Sequence, residues 1–280
     1  MLMNMKELLK VADEKGFAVP AFNIGSDQLL KAVMQQVKEM KSPVILEMSP
    51  DEFNFVENSL IQSMIYEASK TDVPVVIHLD HGDKYETVVR AIQAGFTSVM
   101  IDASKLPYEE NIAITQKVCE VAHLANVSVE SELGTIGTTG IIYTDPDQAK
   151  DFVEKTGIDT LAVAIGTAHG IYPSDMKPEL RLDILQILKD TLDIPLVLHG
   201  GSSNKDEEIA KAVKIGISKI NISSDIKVAF YDKCREVLNA HPEYREPLEI
   251  YPEPIKACRE VIAHKVNLFD SADKVKYYYE

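Results

Sequence analysis

Short apolar runs rich in β-branched residues recur along the chain, and most of them are followed by a stretch whose apolar positions repeat with a helical period. This pattern predicts buried parallel strands alternating with helices that cover them. The predicted strands start roughly 25–35 residues apart, about one βα unit each. They are FAVPAFN (17–23), PVILEMS (43–49), PVVIHLD (74–80), SVMIDAS (98–104), VSVESELG (127–134), TLAVAIGT (160–167), PLVLHGGS (195–202) and KINISSD (219–225).

Eight strand–helix units in about 250 residues predict an α/β fold of the (β/α)8 TIM-barrel type. An open doubly wound sheet is the alternative, but a dinucleotide-binding sheet would carry a glycine fingerprint after its first strand, and FAVPAFNIGSDQ has none. Without a composition break or a Gly/Ser linker, we expect a single barrel domain over residues 1–280. The tail from about residue 230 is predicted to pack on the barrel as a C-terminal helical extension.

The net charge of the chain argues against some classes of binding partner. With 44 acidic and 29 basic residues, the net charge is −15, which disfavours nucleic acids and anionic membranes. The apolar runs are shorter than a membrane span, and residues 1–17 lack the continuous apolar core of a secretory signal. Three cysteines without CxxC spacing favour a reducing compartment. We therefore expect a cytoplasmic protein with no nucleic-acid or membrane partner.

Polar side chains cluster at the ends of the predicted strands. Because the carboxyl ends of barrel strands converge on one face, residues more than a hundred positions apart are expected to meet in one pocket there. Asn23 and Ser49 are candidate substrate contacts at this rim. The full set near the strand ends is Asn23, Ser49, Asp80, His81, Asp102, Glu132, His169, His199 and Asn221.

Three of the seven histidines, His81, His169 and His199, follow or end predicted strands, and each precedes a glycine. Any one alone would more often be structural, but three on one barrel face favour a metal site. Neutral imidazoles suit zinc or a similar divalent ion, and three protein ligands leave a position open for substrate. His78 lies in mid-strand and is expected to support the site from the barrel interior.

The carboxylates at the rim allow more than one role. Asp80 is either a hydrogen-bond partner of a ligating histidine or a general acid–base beside the metal. Asp102 and Glu132 either bind a second cation or hold the histidines by hydrogen bonds, and we favour the second role. Glu130 shares a strand face with Glu132 and is expected deeper in the barrel.

Two turns predict phosphate binding. HGGSS (199–203) and NISSD (221–225) close the seventh and eighth predicted strands, where barrels commonly bind phosphate through backbone N–H groups. Ordinary turns and helix caps are the alternative interpretation. A metal beside a phosphate site, without a nucleotide motif, favours a small phosphorylated substrate and enediolate chemistry such as aldol cleavage or isomerisation. No lysine is predicted inside the carboxyl end of a strand, since Lys219 is predicted to start strand eight and Lys84 and Lys105 to lie in loops. This argues against a Schiff-base lysine, for which Lys105 is the one candidate.

The segments VVIHLDHG, SVMIDAS, SVESELG, TGIDTLAVAIGTAHGIY, IPLVLHGGSS and KINISSDIK resemble, in order, the zinc-dependent class II ketose-bisphosphate aldolases, closest to the fructose- and tagatose-bisphosphate branch. The resemblance implies a (β/α)8 homodimer or homotetramer and reversible cleavage of a ketose bisphosphate to dihydroxyacetone phosphate and an aldehyde. It implies that Asp80 handles the proton of the C4 hydroxyl.

The same resemblance implies ligands for the cofactor and the substrate. The catalytic Zn²⁺ would be bound by His81, His169 and His199, and a second mono- or divalent cation by Asp102 and Glu132, as in some members. The dihydroxyacetone-phosphate half would be held by Gly170, Gly200, Gly201, Ser202, Asn221, Ile222, Ser223 and Ser224.

One segment departs from the family pattern. Many members carry after the ELG motif a mobile loop with a glutamate that moves the C3 proton, whereas ELGTIGTTGIIYTDP is shorter and has no carboxylate between Glu132 and Asp145. The alternatives are an aldolase for another phosphorylated ketose or a non-catalytic sugar-phosphate-binding relative. A metal-dependent hydrolase is disfavoured because the first strand lacks an HxH pair.

Overall fold

The computed structural model describes residues 1–136, 142–168 and 179–279. Eight parallel strands form a closed barrel in chain order, and the last strand pairs with the first. Helices lie between the strands, so the predicted (β/α)8 TIM barrel is confirmed. The strands are β1 Val19–Asn23, β2 Val44–Met48, β3 Val75–Gly82, β4 Ser98–Ile101, β5 Ser128–Leu133, β6 Thr160–Val163, β7 Leu196–Leu198 and β8 Ile217–Ile222.

A helix precedes β1, helices cover the outside of the barrel, and three helices and a short 3-10 turn follow β8. They are α1 Met5–Lys15, α2 Asp27–Met40, α3 Pro50–Ser69, α4 Tyr85–Ala94, α5 Tyr108–Leu124, α6 Pro146–Thr156, α7 Leu182–Thr191, α8 Asp206–Ile215, α9 Ser224–Ala240, α10 Pro247–Ile250, α11 Pro252–Leu268 and the 3-10 turn Val275–Tyr278. None of these helices is long and apolar enough to cross a membrane, as far as the described residues go.

The apolar core has two layers. The larger layer lies between the sheet and the outer helices. The smaller one fills the lower part of the barrel, where Met5, Leu8 and Leu9 of α1 pack against the first interior positions of the strands, such as Val19 and Ile45. Because α1 covers this amino-terminal end, the open face of the barrel is the carboxyl-terminal one.

Above the apolar layer the interior positions become polar. Side chains two positions apart share a strand face. Glu47 therefore follows Ile45, and His78 follows Val76, on the interior face of the barrel, one level closer to its open end. Glu47, His78, Glu130 and Lys219 are all fully buried at this level. The barrel therefore contains a charged layer directly beneath its open face.

Strand eight starts earlier than the sequence pattern predicts. It begins at Ile217 rather than at Lys219, so Lys219 is an interior residue in mid-strand and the expectation that it starts the strand is wrong. A charged residue beside an apolar run is typical of a strand boundary, which is why the local pattern places the start at Lys219. Lys219 instead has charged partners across the barrel that make its burial possible.

The C-terminal helices continue the outer layer. Helix α11 packs against α2 and α9 and buries Cys258, Ile262 and Val266. The nearly buried Lys265 on α11 forms an ion pair with Asp225 at the start of α9, with Nζ 2.7 Å from Oδ2. This tail therefore lies beside the turn that precedes α9.

Candidate active site

Asp80 and His81, at the end of β3, both face the open end of the barrel although they are consecutive in the chain. Regular alternation would put them on opposite sides of the strand. His81 has a positive φ of 49°, and the pairing of β3 with β4 shifts register between Leu79 and Gly82. A Cβ on Gly82 would collide with the carbonyl oxygen of Met100, so this irregular strand end requires a glycine.

Two amides hold the Asp80 carboxylate. Asn23 Nδ2 donates to Oδ2 over 3.2 Å, and Asn221 Nδ2 donates to Oδ1 over 3.0 Å. Burial opposes ionisation of Asp80, but the charges of His81, His199 and Lys219 and the Asn23 hydrogen bond together lower its pKa to about 2. Asp80 is therefore a carboxylate, fixed at both oxygens, at neutral pH.

His81 and His199 meet across the barrel. Nε2 of His81 lies 2.8 Å from Nδ1 of His199, and the two rings are perpendicular. The remaining ring nitrogens are each bonded to a carboxylate, His81 Nδ1 to Asp102 Oδ2 at 2.8 Å and His199 Nε2 to Glu130 Oε1 at 2.7 Å. A histidine held in this way by a carboxylate presents its other nitrogen in a fixed direction.

The pKa of His81 reflects these neighbours. Burial disfavours its charged form, yet Asp80, the hydrogen-bonded Asp102 and Glu132 raise the pKa to about 10. The hydrogen bond between Asp102 and His81 is the kind of contact expected if Asp102 holds a histidine in place. Ser104 in turn donates to Asp102 from its hydroxyl and its backbone N–H.

The donor atoms of this cluster fit a divalent metal ion. One atom each of Asp80, His81 and His199 lie within 4.8 Å of one another. Imidazole nitrogens anchored by carboxylates at their far side are typical zinc donors, and two facing imidazole nitrogens need a proton or a cation between them. The third expected ligand, His169, lies outside the described residues, as does Gly170.

A second group of donors lies on the outer side of His81. Asp102 and Glu132 come within 4.8 Å of His81, so the two expected second-cation residues are brought together. Burial and the charge of Asp102 raise the pKa of Glu132 to about 8.

The charged layer beneath the site connects four strands. Glu130 Oε2 accepts a hydrogen bond from Lys219 Nζ at 2.8 Å, and Lys219 Nζ also lies 3.7 Å from Glu47 Oε2. His78 Nδ1 contacts Ser98 Oγ at 2.9 Å, and its Nε2 lies 3.8 Å from Glu130 Oε2. Glu130 and His78 thus lie below the site, as the sequence pattern predicts.

A cavity of about 220 Å³ opens above this layer. It brings together residues of β1, β3 and β8 and of the segments that follow β2, β7 and β8, including most of those expected from the sequence. The lining residues are Asn23, Ser49, Glu52, Asp80, His81, Gly200, Ser202, Asn221, Ser223, Ser224 and Lys227.

The two predicted phosphate turns lie side by side. Gly201 N–H donates to the Asn221 carbonyl over 3.1 Å, and Asp225 N–H donates to Ser202 Oγ over 3.4 Å. A Cβ on Gly200 would collide with the Ala168 carbonyl, which explains the glycine there. The side chain of Ile222 belongs to the outer apolar core, so this residue can offer only its backbone to a ligand.

Sequence reasoning missed two cavity residues, Glu52 and Lys227. Lys227 Nζ lies 2.6 Å from Glu52 Oε1, and Glu52 Oε2 accepts from the backbone N–H of Ser49 in a capping box at the start of α3. Among the described residues that line the cavity, Lys227 is the single lysine or arginine. The sequence does contain a signal for Lys227, because this lysine lies one turn into the helix that follows the predicted phosphate turn NISSD.

The fold and the site define a barrel enzyme with a candidate metal centre beside the two turns that the sequence predicts to bind phosphate. The family model "Fructose-bisphosphate aldolase class-II" matches residues 3–274. The chain belongs to this family, and it is a class II aldolase, a carbon–carbon lyase.

Individual relatives span nearly the whole chain. The chain is 39% identical to a probable fructose-bisphosphate aldolase of Bacillus subtilis, covering 98% of this chain and 99% of the relative. It is 36% identical to the D-tagatose-1,6-bisphosphate aldolase subunit GatY of Klebsiella oxytoca, covering 95% and 96%. The crystal structure of the YdjI aldolase from Escherichia coli K12 superposes with a TM-score of 0.87, at 35% identity and with 98% and 100% of the two chains covered.

Proposed function

We propose that this chain catalyses the reversible, zinc-dependent aldol cleavage of a ketose 1,6-bisphosphate, fructose or tagatose 1,6-bisphosphate, to dihydroxyacetone phosphate and an aldehyde. The observation that carries the proposal is the pair of carboxylate-anchored imidazoles, His81 and His199, facing each other beside Asp80. An alternative role as a non-catalytic binder is disfavoured because the proton-transfer carboxylate of Asp80 lies in one cluster with the donor atoms of His81 and His199.

Zinc is assigned to His81 and His199 on this donor set, with His169 as the third ligand on the sequence argument. A zinc ion bound there would act as a Lewis acid toward the ketose carbonyl. The protein's own contribution is orientation, since Asp102 and Glu130 fix the two rings so that one nitrogen of each points at the same place.

Asp80 is assigned the proton of the C4 hydroxyl. In cleavage its carboxylate removes this proton as the C3–C4 bond breaks, and the electron pair stays on C3 as an enediolate that takes up a proton to give dihydroxyacetone phosphate. In condensation Asp80 returns the proton to the new C4 oxygen. The amides of Asn23 and Asn221 hold the carboxylate in place without neutralising it. Both asparagines also line the cavity, where they can contact substrate hydroxyls.

The turns at Gly200, Gly201 and Ser202 and at Asn221–Ser224 are assigned to the phosphate of the dihydroxyacetone half. Ser223 is the N-cap of α9 and makes no side-chain capping bond, and backbone N–H groups at a helix start favour an anion. Ser49 and Lys227 also line the cavity, and they are assigned to the remaining part of the substrate.

Three further assignments concern a second cation, the oligomeric state and the location of the protein. The cluster of His81, Asp102 and Glu132 is assigned as a site for a second mono- or divalent cation. A homodimer or homotetramer and a cytoplasmic location are proposed from the family resemblance and the cysteine usage. Each is separable from the catalytic assignment by a direct measurement of metal stoichiometry, oligomer mass or location.

The test is metal removal and replacement. Dialysis against a chelator is expected to abolish release of dihydroxyacetone phosphate from both bisphosphates, and zinc is expected to restore it. His199→Ala should lose zinc and activity, whereas His264→Ala, which removes an exposed histidine paired with Asp206, should keep both. Full activity in the metal-free protein, or a lysine adduct trapped by borohydride, would overturn the proposal.

A further inference from the structure

We propose that Lys219 is a positioning residue that sets the affinity of the site for its metal ion, acting through Glu130 on His199. The inference rests on the proposed zinc site and assigns a role to a residue that lines no part of the cavity. Lys219 is fully buried in the barrel, and its Nζ is 2.8 Å from Glu130 Oε2.

The two oxygens of Glu130 have separate partners. Oε2 binds the Lys219 ammonium group, and Oε1 contacts His199 Nε2 at 2.7 Å. This division fixes the plane of the carboxylate and leaves Oε1 facing the imidazole. Because Oε1 accepts the Nε2 proton, Nδ1 of His199 is the nitrogen that faces His81 and the metal position.

Charge balance explains why a lysine is needed. Glu130 is fully buried, and an unpaired carboxylate in such a place is strongly unfavourable. Burial also opposes the charge of Lys219, but Glu130 and Glu47 raise the pKa of Lys219, so it stays an ammonium group. A negatively charged Glu130 makes His199 a stronger donor to a metal than a neutral partner would.

The other neighbours of Lys219 do not offer the same path. Glu47 lies 3.7 Å from Nζ, and burial holds its pKa well above the usual value. Neither Glu47 oxygen has a hydrogen-bond partner within the described part of the chain. The hydrogen-bonded path from Lys219 to His199 therefore runs through Glu130, whereas Lys219 acts on Asp80 through its charge alone.

The experiment measures the zinc dissociation constant of the purified protein by competition with a chromogenic chelator. Lys219→Gln, which keeps an N–H donor group but loses the charge, and Lys219→Met, which loses both, are expected to bind zinc roughly 10–100-fold more weakly, with the larger loss for Met. Glu130→Gln should weaken zinc binding by a similar factor, roughly 10–100-fold. In the Glu130→Gln background, Lys219→Met should add no further loss, because its path to His199 is already broken.

Two controls separate this role from a general effect on folding. Lys265→Met removes the other buried lysine of the described chain and its ion pair with Asp225, so it should lower stability without changing zinc affinity. Glu47→Gln removes the second carboxylate beside Lys219 and should also leave zinc affinity unchanged. Circular dichroism and the unfolding temperature report on folding for every variant.

Wild-type zinc affinity in both Lys219 variants, or in Glu130→Gln, would overturn the inference, and so would a further loss on adding Lys219→Met to Glu130→Gln. If Lys219→Met does not fold, the Gln variant and Glu130→Gln still decide the question. A wild-type protein that binds no zinc would instead overturn the proposed function, so the two failures are distinguishable.

Discussion

Nε2 of His81 and Nδ1 of His199 face each other at 2.8 Å, while a carboxylate holds the opposite nitrogen of each ring. The two residues are on β3 and directly after β7, so this contact depends on closure of the barrel. It identifies a place where a cation between the two imidazole nitrogens is favoured.

Asp80→Asn is expected to reduce kcat by about 10²–10⁴-fold, because the amide cannot take the C4 hydroxyl proton. Zinc content should stay near the wild-type value, since His81 and His199 are untouched. The measurement pairs turnover of a ketose bisphosphate with metal analysis. Asp83→Asn, three residues away at the start of α4, is the matched control and should keep its activity. Unchanged turnover in Asp80→Asn would assign the proton to another group.

Zinc affinity is expected to rise with pH. The metal-free His81 has its pKa raised to about 10, so below that pH zinc must displace a proton from it. Apparent affinity should therefore increase about tenfold per pH unit between pH 7 and 9 through this residue. In the metal-free protein the raised pKa stabilises the folded state below the unfolded value near 6.5, and this contribution is lost as pH rises through 10.

The measurement is a chelator competition at several pH values, with calorimetry in buffers of different ionisation enthalpy to count protons released per zinc. Asp102→Asn removes a hydrogen bond that raises the His81 pKa, so its affinity should depend less on pH. An affinity independent of pH in the wild-type protein would contradict the assignment of His81 as a ligand.

Gly82→Ala is expected to lower the free energy of unfolding by about 1–3 kcal/mol and to weaken metal binding. The added Cβ would collide with the Met100 carbonyl and disturb the bulge that turns His81 toward the cavity. Gly157→Ala is the control. It places alanine at a left-handed position at the end of α6 with open space around it, so it should cost stability without affecting zinc. Equal zinc binding by both variants would argue against the role of the bulge.

Lys227→Met is expected to raise KM for a ketose bisphosphate roughly 10–100-fold, since a hydrogen bond to a charged group contributes about 1.5–3 kcal/mol. Lys227 lines the cavity and can exchange its Glu52 partner for a substrate oxyanion. Zinc affinity should not change. Lys233→Met, farther along the same helix and paired with Glu236, is the matched control. Steady-state kinetics with a change in kcat alone would place Lys227 outside substrate binding.

Much of the fold could be predicted because it depends on local periodicity. The eight apolar runs and the helical stretches that alternate with them are visible in the sequence, and every predicted strand overlaps an observed one. The position of Lys219 could not be predicted, because a charged residue within an apolar run is read locally as a boundary. Its partner Glu130 is 89 positions away.

The sequence by itself determined which residue types stand at the carboxyl ends of the strands, including Asp80, His81 and His199, because strand alternation and barrel topology place such positions on one face. Only the tertiary structure decided how they are used. The positive φ of His81 turns two consecutive side chains into the same cavity. Barrel closure joins His199 to Glu130 and Lys219, and Lys227 to Glu52. These contacts link strands and helices that are far apart in the chain, so local sequence patterns cannot predict them.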